Sequence, residues 1–407
     1  MLKLLLGSLS ILHLLLISSA FTQDEIKTTI IHAGTLLAIP GTSPLTNQSI
    51  IIENDKITQI IDGFIDPDNA KIIDLKDKFI MPGMMDVHVH IASTIFKPAG
   101  YNEANEMLVG IINSRKTLMA GFTTVRDLGA DGDTIYKLKD AINKDDIIGP
   151  RIFAAGVMLN VGSEGHGNGC NGIESCRKAA RDTITGGADV IKIYASCSGR
   201  FLCSGRDGDT ILMDDEITAI MDVAKKYDIP VAAHAHPEIA NQFIVDYNVT
   251  SVEHGTFLTD QTIQDMVTQG TFYVPTAALH DLFTHQMKTF EGEQLTHVTS
   301  MHDSHPQSIM AAYNAGVKIA TGTDANISPH GKNYRELELF SEFGIPNADV
   351  LKMATLNSAE LLRKESELGS IEIGKIADII AIDGNPLKDM TDIENVTFVM
   401  KSGKQYK

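Results

Sequence analysis

Apolar and polar positions follow two different rhythms along the chain. Residues 28–80 hold short runs rich in β-branched side chains: Thr28-Thr29-Ile30-Ile31, Ser49-Ile50-Ile51-Ile52 and Ile57-Thr58-Gln59-Ile60-Ile61, with Asn54-Asp55 as a turn between two of them. Such runs, bounded by turn residues, predict a small antiparallel sheet. The end of the chain has the same character in Asp378-Ile379-Ile380-Ala381-Ile382 and Val396-Thr397-Phe398-Val399-Met400. Both ends, 21–80 and 369–407, are therefore expected to build one β-sandwich subdomain.

Between them, short apolar runs alternate with segments of helical period. Strands are expected at Met84–His90, Thr123–Asp127, Arg151–Ala155, Val190–Ala195, Pro230–His234, Ser251–His254, Phe272–Pro275 and Lys318–Thr321, and helices at, for example, Asp214–Tyr227 and Asp260–Gln269. Eight β-α units across 81–368 predict an α/β fold, a (β/α)8 TIM barrel. An open doubly wound sheet is the competing architecture. Its dinucleotide-binding form carries a Gly-rich phosphate fingerprint after the first strand, and this sequence has none. The longest apparent loop, Ala277–His302, follows the seventh strand and reads as a lid.

The first 20 residues read as a signal peptide. Met1–Lys3 is a basic start, Leu4–Ile17 is mostly apolar but short for a membrane span, and Ser18-Ser19-Ala20 is a small-residue end. Cleavage after Ala20 predicts an exported protein, periplasmic or secreted, with no membrane attachment afterwards; an uncleaved anchor is the alternative. Export changes how the four cysteines are read. Cys170, Cys176, Cys197 and Cys203 share one short region, and in an oxidising compartment such a set suggests disulfides. Spacing does not choose among the three pairings. Cys170–Cys176 and Cys197–Cys203 are preferred because each closes a small loop, and a four-Cys zinc site is the competing reading.

Composition narrows the partners. Of 407 residues, 43% are hydrophobic and 21% charged, an ordinary globular balance. Lys and Arg number 34 against 52 Asp and Glu, a net charge of −18. So acidic a chain is a poor grip for nucleic acid or anionic lipid, which leaves a small-molecule substrate. The sequence leaves a homo-oligomer open.

The candidate chemistry gathers at one rim. His88 and His90 lie two apart on the first barrel strand, so both side chains share a face at the carboxyl end, where barrel active sites form. Two adjacent imidazoles make a chelating pair. Lys192 stands in the middle of a buried-strand run, Ala188 to Ala195. Desolvating an ammonium there is costly unless it is paired or neutral. It is either the partner of a carboxylate or, after reaction with CO2, a carbamate able to bridge two metal ions. His234 and His254 end the fifth and sixth strands, and Asp324 follows the eighth. Each alone has an ordinary explanation, a satisfied histidine or a turn aspartate. Six such residues from five strands, all directed to one rim, point to a metal centre.

The run Met81-Pro82-Gly83-Met84-Met85-Asp86-Val87-His88-Val89-His90 resembles the opening signature of the amidohydrolase superfamily. Gly121-Phe122-Thr123-Thr124-Val125-Arg126-Asp127 and the tail from Leu368 to Asp378 resemble that family too. The segments Val231–His236, Ser251–Gly255 and Thr321–Ala325 are similar to its imidazolonepropionase-like, prolidase-type (Xaa-Pro dipeptidase-like) branch. The resemblance implies two divalent ions, usually zinc. His88, His90 and Asp324 would hold one, His234 and His254 the other, with carboxylated Lys192 bridging. A hydroxide between the ions would attack the substrate, and Asp324 would take its proton and pass it to the leaving nitrogen.

Substrate contacts are expected from His166, His236, Tyr194 and His330. His166 lies in Gly162-Ser163-Glu164-Gly165-His166-Gly167 and resembles a Gly-Gly-His element, with Glu164 in place of its first glycine. His236 stands where some relatives have Tyr. Tyr194 shares the strand face of Lys192, although a packed core tyrosine fits equally, and a loop histidine facing solvent is the alternative for His330. His280, His285, His297, His302 and His305 read as surface groups. Together these features predict metal-dependent hydrolysis of an amide bond in a dipeptide or N-acyl amino acid, prolidase- or carboxypeptidase-like. An imidazolonepropionase-type cyclic-amide or lactone hydrolase is the enzymatic alternative. A non-catalytic binding barrel is the alternative of another class, disfavoured because all six ligand positions are present.

Overall fold

The computed structural model describes residues 28–93, 101–161, 168–196 and 210–407. The expected signal segment, His166, Cys197 and Cys203 lie outside these residues. The β-branched runs near the start become β1 (Thr28–Leu36), β2 (Leu45–Glu53) and β3 (Lys56–Asp62), followed by β4 (Lys71–Pro82). Asn54, in the turn joining β2 to β3, takes the left-handed φ of 58° that asparagine tolerates. The central strands are β5 (Met84–Val89), β6 (Phe122–Asp127), β7 (Arg151–Ala154), the two-residue β8 (Leu159–Asn160) and β9 (Asn168–Gly169), β10 (Ile191–Tyr194), β11 (Val231–Ala235), β12 (Ser251–His254) and β13 (Phe272–Val274). The last are β14 (Ile379–Ile382), β15 (Val396–Lys401) and β16 (Lys404–Gln405).

Strands from both ends of the chain make one seven-stranded sheet in the order β16-β15-β14-β4-β1-β2-β3. It is antiparallel except that β1 and β4 run parallel. The β1–β2 hairpin already fills one edge of β1, so β4 pairs along the other edge after a crossover. Ile31, Ile50, Ile57, Ile80, Ile379 and Phe398 pack into one buried cluster across these strands.

The centre is α/β with parallel sheets: β5-β6-β7, and β13-β12-β11-β10-β8-β9. Backbone hydrogen bonds link them on two sides. Asp189 N–H donates to Ala154 at 2.8 Å, from the residue pair that precedes β10 to the end of β7. On the other side, the segment 318–321 is not an assigned strand, yet it bonds to both neighbours. Tyr273 N–H donates to Lys318 at 2.9 Å, and Val87 N–H donates to Thr321 at 2.8 Å.

Helices alternate with these strands: α1 (Glu103–Met119), α2 (Thr134–Asn143), α3 (Ile173–Thr185), α4 (Asp214–Tyr227), α5 (Glu238–Asp246) and α6 (Asp260–Gln269). The helical patterns at Asp214–Tyr227 and Asp260–Gln269 coincide with α4 and α6. Ile191, Ile193, Val231, Ala233 and Val252 are buried in the main core, so alternation sends Lys192 to the opposite face.

One expectation is corrected. Ala277–His302 is not a loop but α7 (Leu279–Gln286) and the first part of α8 (Gly292–Ala315). Gly292 and the internal Pro306 weaken the helical signal, because glycine raises the entropy cost and proline removes a donor. Tertiary contacts override them: Leu279 and Phe283 of α7 pack on Val298 and Met301 of α8, and Glu336 accepts the N–H groups of Ala277 and Ala278 at 2.8 and 2.7 Å. A disulfide joins Cys170 to Cys176.

Candidate active site

Five of the six expected ligands enter two groups of donor atoms. His88, His90 and Asp324 form one, and His234, His236 and His254 the other, the atoms within each lying within 4.8 Å of one another. His236, read from sequence as facing substrate, therefore stands beside His234 and His254. The rings of His88 and His254, one from each group, are 5.0 Å apart.

The backbone explains who arrives there. Period two puts His88 and His90 on one face at the exit of β5, although the pairing of β5 with β6 shifts register between Asp86 and Val89. In register, Lys192 pairs with Ala232, Tyr194 with His234, and His234 with Glu253. Lys192, Tyr194, His234 and Glu253 thus share the interior face. His254 follows Glu253 and would point outward by alternation. It reaches the site because its φ is +72°, which breaks the strand. Asp324 is also left-handed, at φ 52°, and its N–H donates to the His88 carbonyl at 2.8 Å.

Four of the imidazoles are oriented by a partner. His88 Nδ1 lies 2.8 Å from Glu253 Oε2, His90 Nδ1 2.9 Å from the Gly129 carbonyl, His236 Nδ1 2.7 Å from Thr256 Oγ1 and His254 Nδ1 2.8 Å from Thr276 Oγ1. Thr276 donates its own hydroxyl to the Pro275 carbonyl, so it accepts from His254. With Nδ1 engaged, Nε2 is the nitrogen left for a ligand. Behind the carboxylates sits a second layer. Arg126 donates to Val87 O at 2.6 Å and to Glu253 Oε1 at 2.8 Å. Asp86 accepts from His88 N–H, from Thr323 N–H and hydroxyl, and from Asn333.

Burial dominates the electrostatics. It pushes His88 down to about 4, aided by the Lys192 charge, and His236 down to about 3. His254 falls well below its ordinary value through burial and its histidine neighbours. Burial also lowers Lys192 to about 8. For Glu253, burial raises the carboxyl, but Arg126 and His88 outweigh it and hold it at about 2. Asp324 is likewise raised by burial, yet the His90 hydrogen bond and the His88 charge bring it to about 2. His88, His236 and His254 are thus kept neutral and both carboxylates ionised, the forms that bind cations, whereas at His90 burial is outweighed by the hydrogen bond and charge of Asp324, which raise it.

Two observations test whether divalent ions fit. Lys192 Nζ is buried and has no hydrogen-bond partner among the described residues, although it is close enough to His88, His254 and Asp324 to shift each of them. His90 Nε2 faces Asp324 Oδ1 at 3.2 Å while its Nδ1 already serves Gly129. Something positive, a proton or a cation, belongs between them. The donor set fits divalent metal.

The remaining candidates fall as follows. Tyr194 is half-buried with its ring 4.6 Å from that of His234. His330 has both ring nitrogens near protein atoms, Thr117 Oγ1 at 3.1 Å and the His90 carbonyl at 3.4 Å. His305, expected at the surface, is instead buried on α8 and donates from Nε2 to the His254 carbonyl at 3.1 Å. Sequence reading missed Glu253, Arg126, Thr276 and His305. Only Glu253 and Arg126 carried a signal, as charges inside short apolar strands.

Comparison with known proteins gives the same answer from another direction. The model of the amidohydrolase family matches residues 79–406. A solved Xaa-Pro dipeptidase with methionine bound in its active site superposes with a TM-score of 0.86 at 34% identity, over 94% of this chain and all, 100%, of that one. A prolidase complexed with N-methylphosphonate-L-proline gives 0.85 at 28% identity, over 94% and 100%. The ochratoxinase of Aspergillus niger is 29% identical over 95% of this chain and 88% of its own. A metal-ready cluster at the carboxyl ends of parallel strands, within a match that runs from β4 to the last residues, makes this chain a hydrolase, and it belongs to the amidohydrolase family.

Proposed function

We propose that this chain is a binuclear metal-dependent amidohydrolase that cleaves the amide bond of a dipeptide or N-acyl amino acid. The observation that carries the reading is the pair of three-residue donor groups flanking a buried, unbonded Lys192 amine. Six or more donors exceed the four that a single tetrahedral zinc needs. Names among the relatives support the substrate class, since the solved neighbours include a Xaa-Pro dipeptidase holding methionine and a prolidase holding a proline phosphonate.

In this reading His88, His90 and Asp324 hold one ion, and His234 and His254 hold the other. Lys192, as the neutral amine, would add to CO2 with loss of a proton, and the resulting carbamate would supply further oxygen donors to the ions. When bound, the ions, most simply zinc, polarise the amide carbonyl and ionise water at neutral pH. The chain does the rest. Asp324 accepts the proton of the attacking water and delivers it to the leaving nitrogen. His236 and Tyr194 orient the substrate, with His166 and His330 as further contacts at the rim. Glu253 and the threonines fix the ligand rings, and burial keeps bulk water from competing.

The fold that presents this site is proposed to be a closed (β/α)8 barrel over 81–368. The hydrogen bonds from Asp189 to Ala154, and from Val87 and Tyr273 to the segment 318–321, support closure. The seven-stranded sheet from both ends is proposed to fold as a β-sandwich around the Ile31–Phe398 cluster. The apolar run at Leu4–Ile17 supports export, with the enzyme acting in the periplasm or outside the cell.

The experiment is elemental analysis of protein prepared with zinc and bicarbonate, joined to a screen of dipeptides and N-acyl amino acids. About two ions per chain and hydrolysis of members of either class are expected. One ion or none, or activity confined to lactones or cyclic amides, would sink the reading.

A further inference from the structure

The left-handed turn at His254 is the feature that the functional reading leaves without a cause. Strand register places Glu253, not His254, on the interior face of β12. His254 turns inward at a φ of +72°, a region uncommon for a residue with a Cβ, histidine being one of those that enter it more often. Gly255 follows at φ 52°. A Cβ added at Gly255 would come within 2.6 Å of the Tyr273 ring, so the turn is packed against that side chain.

The clamp falls on the carbonyl groups. Tyr273 donates its hydroxyl to the His254 carbonyl at 2.9 Å and to the Gly255 carbonyl at 3.0 Å. His305 Nε2 donates to the same His254 carbonyl at 3.1 Å. Both side chains are buried. His305 comes from α8, and the helix is fastened to the same turn one helical turn later. Ser308 Oγ donates to the Thr256 carbonyl at 2.8 Å and accepts the Leu258 N–H at 3.1 Å. Neither Tyr273 nor His305 belongs to the two donor groups.

We infer that Tyr273 and His305 are positioning residues for His254: by gripping its carbonyl they hold the left-handed backbone that swings its imidazole from the outer face of β12 into the metal centre. The inference rests on His254 being a metal ligand. A neutral imidazole has one N–H, and the contact to the His254 carbonyl requires it on Nε2. What the site requires of residue 305 is thus a single donor at the Nε2 position. Glutamine supplies it, and leucine fills the space without it. For Tyr273, phenylalanine removes the hydroxyl and keeps the ring that packs on Gly255.

The test is zinc affinity of the metal-free full-length chain, measured by competition with a chromogenic chelator, for wild type, His305→Leu, His305→Gln and Tyr273→Phe. Outer partners of metal ligands are worth roughly 10–100-fold in affinity. His305→Leu and Tyr273→Phe are each expected to weaken zinc binding by about that factor, and His305→Gln to recover most of the His305→Leu loss. Wild-type affinity in both His305→Leu and Tyr273→Phe overturns the inference. Equal weakening in His305→Leu and His305→Gln also overturns it, because shape rather than the donor would then matter. If circular dichroism shows His305→Leu unfolded, Tyr273→Phe decides alone. A wild-type chain that takes up no zinc removes the metal centre itself and the inference with it, a result distinct from variants that bind as wild type does.

Discussion

Glu253 and His88 are joined by a 2.8 Å contact between a carboxylate oxygen and an imidazole nitrogen, both wholly inside the protein. The other oxygen of Glu253 accepts from Arg126 at 2.8 Å and from Ser251 at 2.5 Å. One carboxylate therefore balances a buried guanidinium and orients a candidate metal ligand. Fixing the Nδ1–H tautomer leaves Nε2 for the ion and makes it a better donor. Burial alone would raise the Glu253 carboxyl, and Arg126 is the main reason it stays ionised at about 2.

Two variants probe these duties. Glu253→Gln keeps one acceptor oxygen, puts an amide NH2 in place of the other, and removes the charge that balances Arg126. It is expected to lower metal affinity or turnover by roughly 10–100-fold. Glu253→Ala strands Arg126 inside the protein and is expected to lose about 3–5 kcal/mol of stability, read from urea midpoints. Wild-type zinc affinity in Glu253→Gln would show that the contact is structural only.

Lys192 makes the opposite prediction for stability. Its Nζ is buried and has no hydrogen bond among the described residues, so in the metal-free chain the amine opposes folding. Lys192→Met should stabilise the metal-free protein by roughly 1–3 kcal/mol and abolish activity. Lys192→Ala should also lose activity, and a short free carboxylic acid filling the gap should restore part of it. A Lys192→Ala variant that keeps both metals and full activity would defeat the carbamate.

How much of this was legible in the sequence depends on whether local or tertiary rules decide. Lys192 stands out because a charge inside Val190-Ile191-Lys192-Ile193 contradicts a buried strand, and His88 and His90 stand out by their spacing of two, although the pairing of β5 shifts register just before them. α4 and α6 were readable from helical period and the acidic residues in their first turns. The α7–α8 hairpin was not, because Pro306 and Gly292 argue against a helix that tertiary packing nevertheless holds. His305 was hidden with it. Its role depends on meeting the His254 carbonyl, 51 residues away in the chain, and no local pattern encodes that meeting. His254 itself was found for an incomplete reason. Ending a strand does not aim its ring inward, and the left-handed φ does.

Burial gives a pH dependence with a definite sign. His305 is lowered by burial from its ordinary 6.5 to about 4. Between these values the unfolded chain binds this proton and the folded chain does not. The stability contributed by keeping His305 neutral is full above about pH 6.5 and is lost as pH falls toward about 4. Asp86 and Asp127, each raised to about 6 by burial, act in the opposite direction, so the wild-type curve alone is a mixture. Comparison with His305→Gln isolates the group. The stability difference between the two metal-free proteins should change by up to about 1.4 kcal/mol per pH unit across that window. A difference that is flat from pH 4 to 7 would mean that His305 is not a neutral buried imidazole.

Asp324 is asked to hold metal and to move a proton, and the two roles can be told apart. Its carboxylate lies 3.2 Å from His90 Nε2 and 3.7 Å from His88 Nε2, at the apex of one donor group. The hydrogen bond from His90 and the charges of His88, His90 and Lys192 overcome the effect of burial and hold it ionised at about 2. Asp324→Asn keeps the size and one coordinating oxygen but accepts no proton. General acid–base catalysis is worth roughly 10²–10⁴-fold, so turnover should fall by that order or more. KM should change far less, because the missing interaction operates mainly in the transition state. The variant must be shown by elemental analysis to hold as many ions as wild type, since loss of an ion would lower the rate by itself. With the ions retained, a large fall in kcat at nearly constant KM assigns the proton to Asp324. Near-normal kcat removes it from that role, and the next group to test is His236, whose ring stands in the other donor group.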